Sequence, residues 1–312
     1  MSKVYFGEAG YVQLLKDVLE NGVEIPDRTG IGCRAIFDAK VVYDKLKDGE
    51  TDFALSTIRS CPPRFSFEEM WMFLKGETNT KTLEEKGIYF WKGNTSREFL
   101  DSRNLDDFPE GSLVAAYSSQ WRGFGKFSDK YMTYEQIMAG EGEGIDQLKT
   151  LLHTLKEDKY SRRMVVSLWN PAEEDLMPLT PCWWASEYVV LPSKEGKDVL
   201  HVKLISRSLD VLFGFPFAVQ QYRLFQLALC KMFGFEMGTL SADLSHVHLY
   251  NNQLEYTQET VQREFGKQGK VLINKKISSL GDLLSLQWED IIVTDFEVNK
   301  TPFKAAKPHM AV

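Results

Sequence analysis

The chain has 312 residues, 43% of them hydrophobic, and a formal net charge of -7. That is enough apolar material for one large core or two smaller ones, and the acidic balance excludes a general nucleic-acid surface while leaving room for a local basic pocket that takes a small phosphate. No Ser/Gly/Pro-rich linker, low-complexity run or internal repeat divides the sequence, so residues 1–312 read as a single domain. The opening residues, Met1-Ser-Lys-Val-Tyr-Phe-Gly-Glu8, lack a charged stretch followed by an apolar one, and no apolar run approaches membrane-spanning length. The expected location is the cytoplasm, with no membrane and no nucleic-acid partner.

In chain order, apolar residues at Val12, Leu14, Leu15, Val18 and Leu19 predict a helix over Gly10 to Asn21, ended by Asn21-Gly22. Asp27-Arg28-Thr29-Gly30 is a turn that carries an arginine, and Arg34 to Val42 reads as a strand. Phe65 to Lys75 and Ile145 to Leu155 are further helices. Ser161-Arg162-Arg163 precedes the predicted strand Met164 to Leu168, and Ser186 to Leu191 and Leu200 to Ile205 are two more strands. Gln220 to Phe233 is a long apolar helix suited to the core, and His248 and Tyr250 alternate on a strand. The order is mixed, an α+β pattern without the regular alternation of a dinucleotide-binding unit, and neither GxGxxG nor GxxxxGK[ST] is present.

Cys33, Cys61, Cys182 and Cys230 show neither CxxC spacing nor a His/Cys ligand cluster, so reduced thiols and no metal site are expected. Cys182 stands between Pro181 and Trp183, and Arg207-Ser-Leu-Asp210-Val-Leu-Phe-Gly214-Phe-Pro-Phe-Ala218 follows. A thiol followed by an arginine, a hydroxyl and a carboxylate points to an anion site beside a nucleophile; the plainer reading of Cys182 is a small buried hydrophobe. Arg28, Arg162, Arg163 and Arg207 are together more suggestive of a phosphate clamp than any one alone, though each singly reads as a solvated charge. Arg162 and Arg163 are adjacent, so on a regular strand they diverge; both reach one anion only at an irregularity or across a subunit interface. Glu69 lies in Phe-Glu-Glu-Met-Trp-Met-Phe-Leu, where a buried carboxylate would have a pKa raised toward the proton-transfer range; the alternative is a boundary residue facing water. His248 and Tyr250 are equally well read as pocket residues or as satisfied polar core residues.

The chain resembles the thymidylate synthase family along nearly its whole length. The resemblance is carried by Asp27-Arg28-Thr29-Gly30, Glu69 with Trp71 to Gly76, Trp91-Lys-Gly-Asn94-Thr-Ser-Arg-Glu-Phe-Leu100 and Tyr117-Ser-Ser-Gln-Trp-Arg122. It continues through Ser161-Arg162-Arg163, Pro181-Cys182, Arg207-Ser-Leu-Asp210, Gly214, His248-Leu-Tyr250-Asn-Asn252 and the final Met310-Ala-Val312. It implies a single α+β domain whose large mixed sheet packs across a homodimer, and one-carbon transfer from 5,10-methylenetetrahydrofolate to C5 of a pyrimidine nucleoside monophosphate. By the same resemblance Cys182 adds to C6 of the ring, Glu69 and Tyr117 handle protons with ordered water, and Asp210 hydrogen-bonds the pterin. Arg28, Arg207 and Ser208, with Arg162 and Arg163 from the second subunit, hold the phosphate; His248 and Tyr250 bind the sugar 3'-hydroxyl; Arg59, Trp91, Gly214 and Val312 belong to the folate site.

Three positions depart from the family pattern. Ala218 stands where an asparagine pairs with N3 and O4 of uracil, Trp183 replaces the histidine after the nucleophile, and Arg59 replaces a lysine. An amide that donates to O4 and accepts from N3-H rejects cytosine, and its loss removes a discrimination of roughly 1–3 kcal/mol. Relatives that act on dCMP carry an aspartate there, so Ala218 matches neither pattern. The expectation is a departing member that methylates a deoxynucleotide, dCMP ahead of dUMP. The alternatives are a hydroxymethylase in which water quenches the methylene intermediate and, more remotely, a noncatalytic nucleotide-binding protein.

Overall fold

The computed structural model describes residues 3–27, 29–46, 49–127 and 144–308. Within it the chain forms two compact units, one of Met1–Phe67 with Tyr188–Val312 and one of Glu68–Glu187.

The first unit holds most of a mixed seven-stranded sheet. Its strands are β1 (Lys3–Phe6), β2 (Val23–Ile25), β3 (Cys33–Tyr43), β5 (Trp183–Pro192), β6 (Asp198–Asp210) and β7 (Glu236–Tyr250), in the order β1-β3-β7-β6-β5 with β2 off this path against β3; the first residues of β5 pair in the second unit with β4 (Val165–Ser167). β1 runs parallel to β3, β7 antiparallel to β3, and β6 parallel to β7. A small pair, β8 (Lys270–Ile273) and β9 (Ile291–Thr294), stands apart from the sheet.

Two helices of this unit pack on the sheet. α1 (Gly7–Asn21) turns Tyr11, Leu14, Leu15 and Val18 inward and packs on β3, and Gly22 ends it by donating its N–H to Val18. α5 (Gly214–Phe233) packs on β6 and β7 and is buried on nearly every side, as an apolar sequence at helical length requires. It starts earlier than the apolar run from Gln220 suggests: Pro216 falls in its first turn, where its missing N–H costs nothing. Arg223 fixes this helix from inside. Fully buried, it donates to the carbonyls of Tyr43, Asp44, Asp52 and Gly238 and to the Gln226 side chain. Burial lowers its pKa to about 10, so it remains a cation.

The sheet changes phase near one end. Along β6 the buried residues are Leu200, Val202, Leu204 and Ser206, then Leu209; along β7 the buried apolar side chains are Leu240, Ala242 and Leu244, then Val247 and Leu249, with His248 buried between the last two. A step of three where a regular strand steps by two means a local irregularity, and in β3 the facing stretch contains Asp38 at φ +62°. Beyond it, Ser208, Asp210, His246, His248 and Tyr250 alternate with the apolar Leu209, Val247 and Leu249.

The second unit carries the C-terminal part of α2 (Pro63–Lys75), then α3 (Ser118–Gly123), α4 (Gln147–Glu157) and β4. α4 is capped by Asp146, whose carboxylate accepts from the Lys149 N–H and forms a two-point ion pair with Arg122 at 2.9 and 3.1 Å. Leu148, Leu151, Leu152 and Leu155 form its buried face.

Candidate active site

In the second unit, Glu69, Trp91, Tyr117 and Cys182 form a continuous line. Glu69 lies on the buried side of α2 at 7% exposure, and the Trp91 indole N–H donates to its carboxylate at 2.6 Å. The Trp91 ring meets the Tyr117 ring edge-on at 5.4 Å, and Phe73, one turn beyond Glu69 on α2, stacks on Tyr117 at 5.0 Å. The Tyr117 hydroxyl in turn accepts the backbone N–H of Cys182 at 2.9 Å. Cys182 is half-buried and unbridged, whereas Cys33, Cys61 and Cys230 are buried. A half-buried cysteine whose backbone is held by a phenol, with an anchored carboxylate in the same line of contacts, suits nucleophilic addition with proton transfer.

The backbone at Tyr117 is unusual. Its φ of +28° at the start of α3 lies in the region that side chains avoid, at a cost of order 1–3 kcal/mol that the packed aromatic rings must offset. Ser118, next to Tyr117, and Asn94, three residues after Trp91, are buried, and the Asn94 Nδ2 and Ser118 Oγ have no hydrogen-bond partner among the described residues. Buried polar atoms left open in this way are places where a bound molecule completes the hydrogen bonding.

Arg162 and Arg163 form an exposed turn before β4 and lie outside the strand, so the divergence expected of adjacent strand residues does not apply to them. Trp183, the residue after the nucleophile, is buried at the start of β5.

In the first unit, the other predicted residues gather at the irregular ends of β6 and β7 and the turn into α5. Arg207 and Ser208 are half-buried near the end of β6. Sheet register places Ser208 beside His246 and Asp210 beside His248. Asp210 Oδ1 accepts the N–H groups of Leu212 and Phe213, and Oδ2 accepts from Gln253, which fixes the turn into α5. Burial raises the Asp210 pKa against these hydrogen bonds. Arg59, 4% exposed, donates to the Leu212 carbonyl of the same turn and lies over the Phe213 ring, while its Nε has no partner among the described residues.

Gly214 opens α5, where a Cβ would meet Asp210 and Leu209 only at 3.9 Å, so sterics of the fold do not demand glycine. Ala218, 5% exposed, lies one turn further along the helix. His248 is buried, and burial, reinforced by His246, pushes its pKa down to about 4, leaving a neutral ring. Its ring meets Tyr250 edge-on at 5.0 Å. The Asp27 turn is built by its own carboxylate, which accepts from Thr29 and from the Gly32 N–H. Arg28 and Val312 lie outside the described residues.

Two residues of this unit escaped the sequence reading. Gln253, fully buried, donates to Asp210 at 2.8 Å and accepts the Tyr250 N–H at 3.1 Å, so it ties the carboxylate to the end of β7. His246 pairs with His248 at 3.2 Å between the Nδ1 atoms. The only signal for either was spacing from a motif residue, three beyond Tyr250 and two before His248.

The sequence model of the thymidylate synthase family matches residues 9–310. The chain is 34% identical to the thymidylate synthase of Saccharomyces cerevisiae over 295 residues, covering 93% of this chain and 92% of that protein. It is 32% identical to the thymidylate synthase of Homo sapiens over 308 residues, 98% of this chain and 91% of that protein. A bifunctional dihydrofolate reductase-thymidylate synthase of Leishmania major is 32% identical over 306 residues, 98% of this chain but 55% of that protein. The chain belongs to the thymidylate synthase family, a family of methyltransferase enzymes. That family uses methylenetetrahydrofolate as its one-carbon donor. The chemistry of the first unit's residues fits such a group: Asp210 retains acceptor capacity beyond its three hydrogen bonds, and the Arg59 Nε is a donor with no partner among the described residues. Among the described residues no helix is long and apolar enough to cross a membrane.

Proposed function

We propose that this chain, one catalytic domain over residues 1–312, transfers a one-carbon unit to C5 of a pyrimidine deoxynucleoside monophosphate in the cytoplasm, methylating dCMP ahead of dUMP. The observation that carries the reading is half-buried Cys182, whose backbone N–H is held by the Tyr117 hydroxyl in line with Trp91 and Glu69. The Cys182 thiolate adds to C6, the C5=C6 double bond opens, and C5 becomes the nucleophile that takes the carbon; C5 then loses its proton as the folate nitrogen leaves, and expulsion of the thiolate restores the double bond when hydride adds to that carbon. Glu69 and Tyr117, with water, move the protons. Methylenetetrahydrofolate supplies the carbon and, for a methyl product, the hydride. Asp210, Trp91, Arg59, Gly214 and Val312 would hold it, and Arg28, Arg207, Ser208, His248 and Tyr250 the nucleotide.

The base preference rests on Ala218. Its methyl group neither donates nor accepts, so it imposes no test for uracil, and water completes the contacts of either base. The second reading, hydroxymethylation, is favoured by the same alanine together with Trp183; retention of Trp91 favours a dry site and hydride. A homodimer completes the phosphate site with Arg162 and Arg163 of the other protomer. The exposure of that arginine turn supports this, as does the exposure of Val4, Phe6, Phe37, Val189 and Leu191 on strands of the sheet.

Incubation with methylenetetrahydrofolate and dUMP, dCMP, UMP or CMP, with mass spectrometry of the product and absorbance of dihydrofolate, tests the proposal. Methylated dCMP with stoichiometric dihydrofolate is expected, and hydroxymethylated product without dihydrofolate would replace it. Turnover confined to dUMP would remove the inference from Ala218. Failure of Cys182→Ala to abolish turnover would remove the covalent mechanism.

A further inference from the structure

His246 has no role in the chemistry above, yet it is the nearest titratable neighbour of a residue that does. The Nδ1 atoms of His246 and His248 lie 3.2 Å apart with ring centroids at 5.2 Å. A hydrogen bond between two such nitrogens needs one proton and one lone pair, so two neutral rings must adopt opposite tautomers. The backbone of His246 also acts on the His248 ring in the sense that favours a hydrogen on it. Nδ1 is the His248 nitrogen that faces the His246 ring, and a hydrogen there gives that ring's Nδ1 lone pair a donor. His246 is half-buried and His248 is buried, which places the pair out of bulk water, where an unmade hydrogen bond is costly.

We propose that His246 is a positioning residue: its Nδ1 accepts the Nδ1 hydrogen of His248 and leaves the Nε2 lone pair as the one hydrogen-bonding group His248 offers a ligand. His248 then recognises a hydroxyl that donates and discriminates against a group that only accepts. For a nucleotide this selects a free 3'-hydroxyl and disfavours a 3'-O-methyl or 3'-phosphate group. Discrimination of this kind follows from the direction of a single hydrogen bond and needs no change in pocket size. The inference rests on the reading of His248 as the sugar contact.

The test is long-range 1H–15N spectroscopy of the uniformly labelled, full-length protein, with the His248 signals assigned by their loss in His248→Gln. Expected is a protonated Nδ1 and an unprotonated Nε2 in the wild type, moving toward the Nε2–H form in His246→Leu and back in His246→Asn, whose amide oxygen still accepts. In parallel, His246→Leu should raise the KM for the nucleotide roughly 3- to 10-fold with kcat little changed, and His246→Asn should recover most of it. The wild type should bind the 3'-O-methyl nucleotide more weakly than the parent, with the gap narrowed in His246→Leu. An Nε2–H tautomer in the wild type, or a tautomer indifferent to residue 246, overturns the proposal, and the wild-type spectrum decides even if the leucine variant does not fold. If His248→Gln leaves nucleotide binding unchanged while the tautomer responds to residue 246, it is the sugar-contact reading that has failed.

Discussion

The two sets of candidate residues are built on opposite plans. The Glu69–Trp91–Tyr117–Cys182 line is assembled from a helix face, loops and a helix start, held by stacked rings and one backbone strained to φ +28°. The Asp210–His248–Tyr250 set lies on neighbouring strand ends, where register alone fixes which side chains meet, and polar bridges from Gln253 and His246 supply the rest. On the proposed function, the first plan positions groups that change bonding, and the second positions groups that recognise. The first should therefore fail in rate, the second in affinity and pH response.

The largest effect is expected at Glu69. Glu69→Gln keeps the shape and an acceptor for the Trp91 indole but cannot take a proton, so kcat should fall about 10²- to 10⁴-fold with a much smaller change in KM, measured by steady-state kinetics. Tyr117→Phe keeps the stacking on Phe73 and removes only the oxygen that accepts the Cys182 N–H. It should lower kcat roughly tenfold or more and cost about 0.5–1.5 kcal/mol in urea unfolding. If its effect were confined to KM, the comparison would break.

At the other set, Ala218→Asn should shift the kcat/KM ratio toward dUMP by roughly tenfold, read by competition between dUMP and dCMP. His248 gives a pH signature. Its folded pKa of about 4 lies below the ordinary 6.5, so the unfolded chain binds a proton that the folded ring refuses. Its contribution to stability is complete above pH 6.5 and is lost as pH falls from 6.5 toward 4, by at most about 3 kcal/mol. Replacing His248 with Gln should flatten that part of the stability curve relative to wild type in urea melts. The smallest structural effect belongs to Gly214→Ala: with 3.9 Å of room for the new methyl, Tm should stay within about a degree or two, and a rise in the folate KM would then report the ligand site alone.

Much of this was legible in the chain. The apolar spacing that ends at Asn21-Gly22 marks α1 to within three residues of its start, and the strand read over Arg34 to Val42 is β3 short by one residue at each end. β7 was seen only at its His248–Tyr250 end, because Gly238, Thr239, Ser241, Asp243 and Ser245 dilute the apolar signal over its remaining length. The motif residues Glu69, Trp91, Tyr117 and Cys182 carried the first set into view. The partners in the second did not announce themselves: His246 meets His248 through the two-residue repeat of one strand and Gln253 reaches Tyr250 across a turn, spacings too common to mark a pairing by themselves.

The buried Arg223 has a consequence for how such an enzyme changes. Ala218 lies five residues, about 7.5 Å, up α5 from a cation clamped to four backbone carbonyls. A helix pinned so firmly cannot slide or rotate to accommodate a new side chain at that distance, because doing so would strip a buried charge of its partners. On the proposed reading of Ala218, a substitution there meets the ligand and the neighbours that leave the position 5% exposed, while the helix itself stays in place. On that reading, choice of base is a trait that a single codon can alter and later restore.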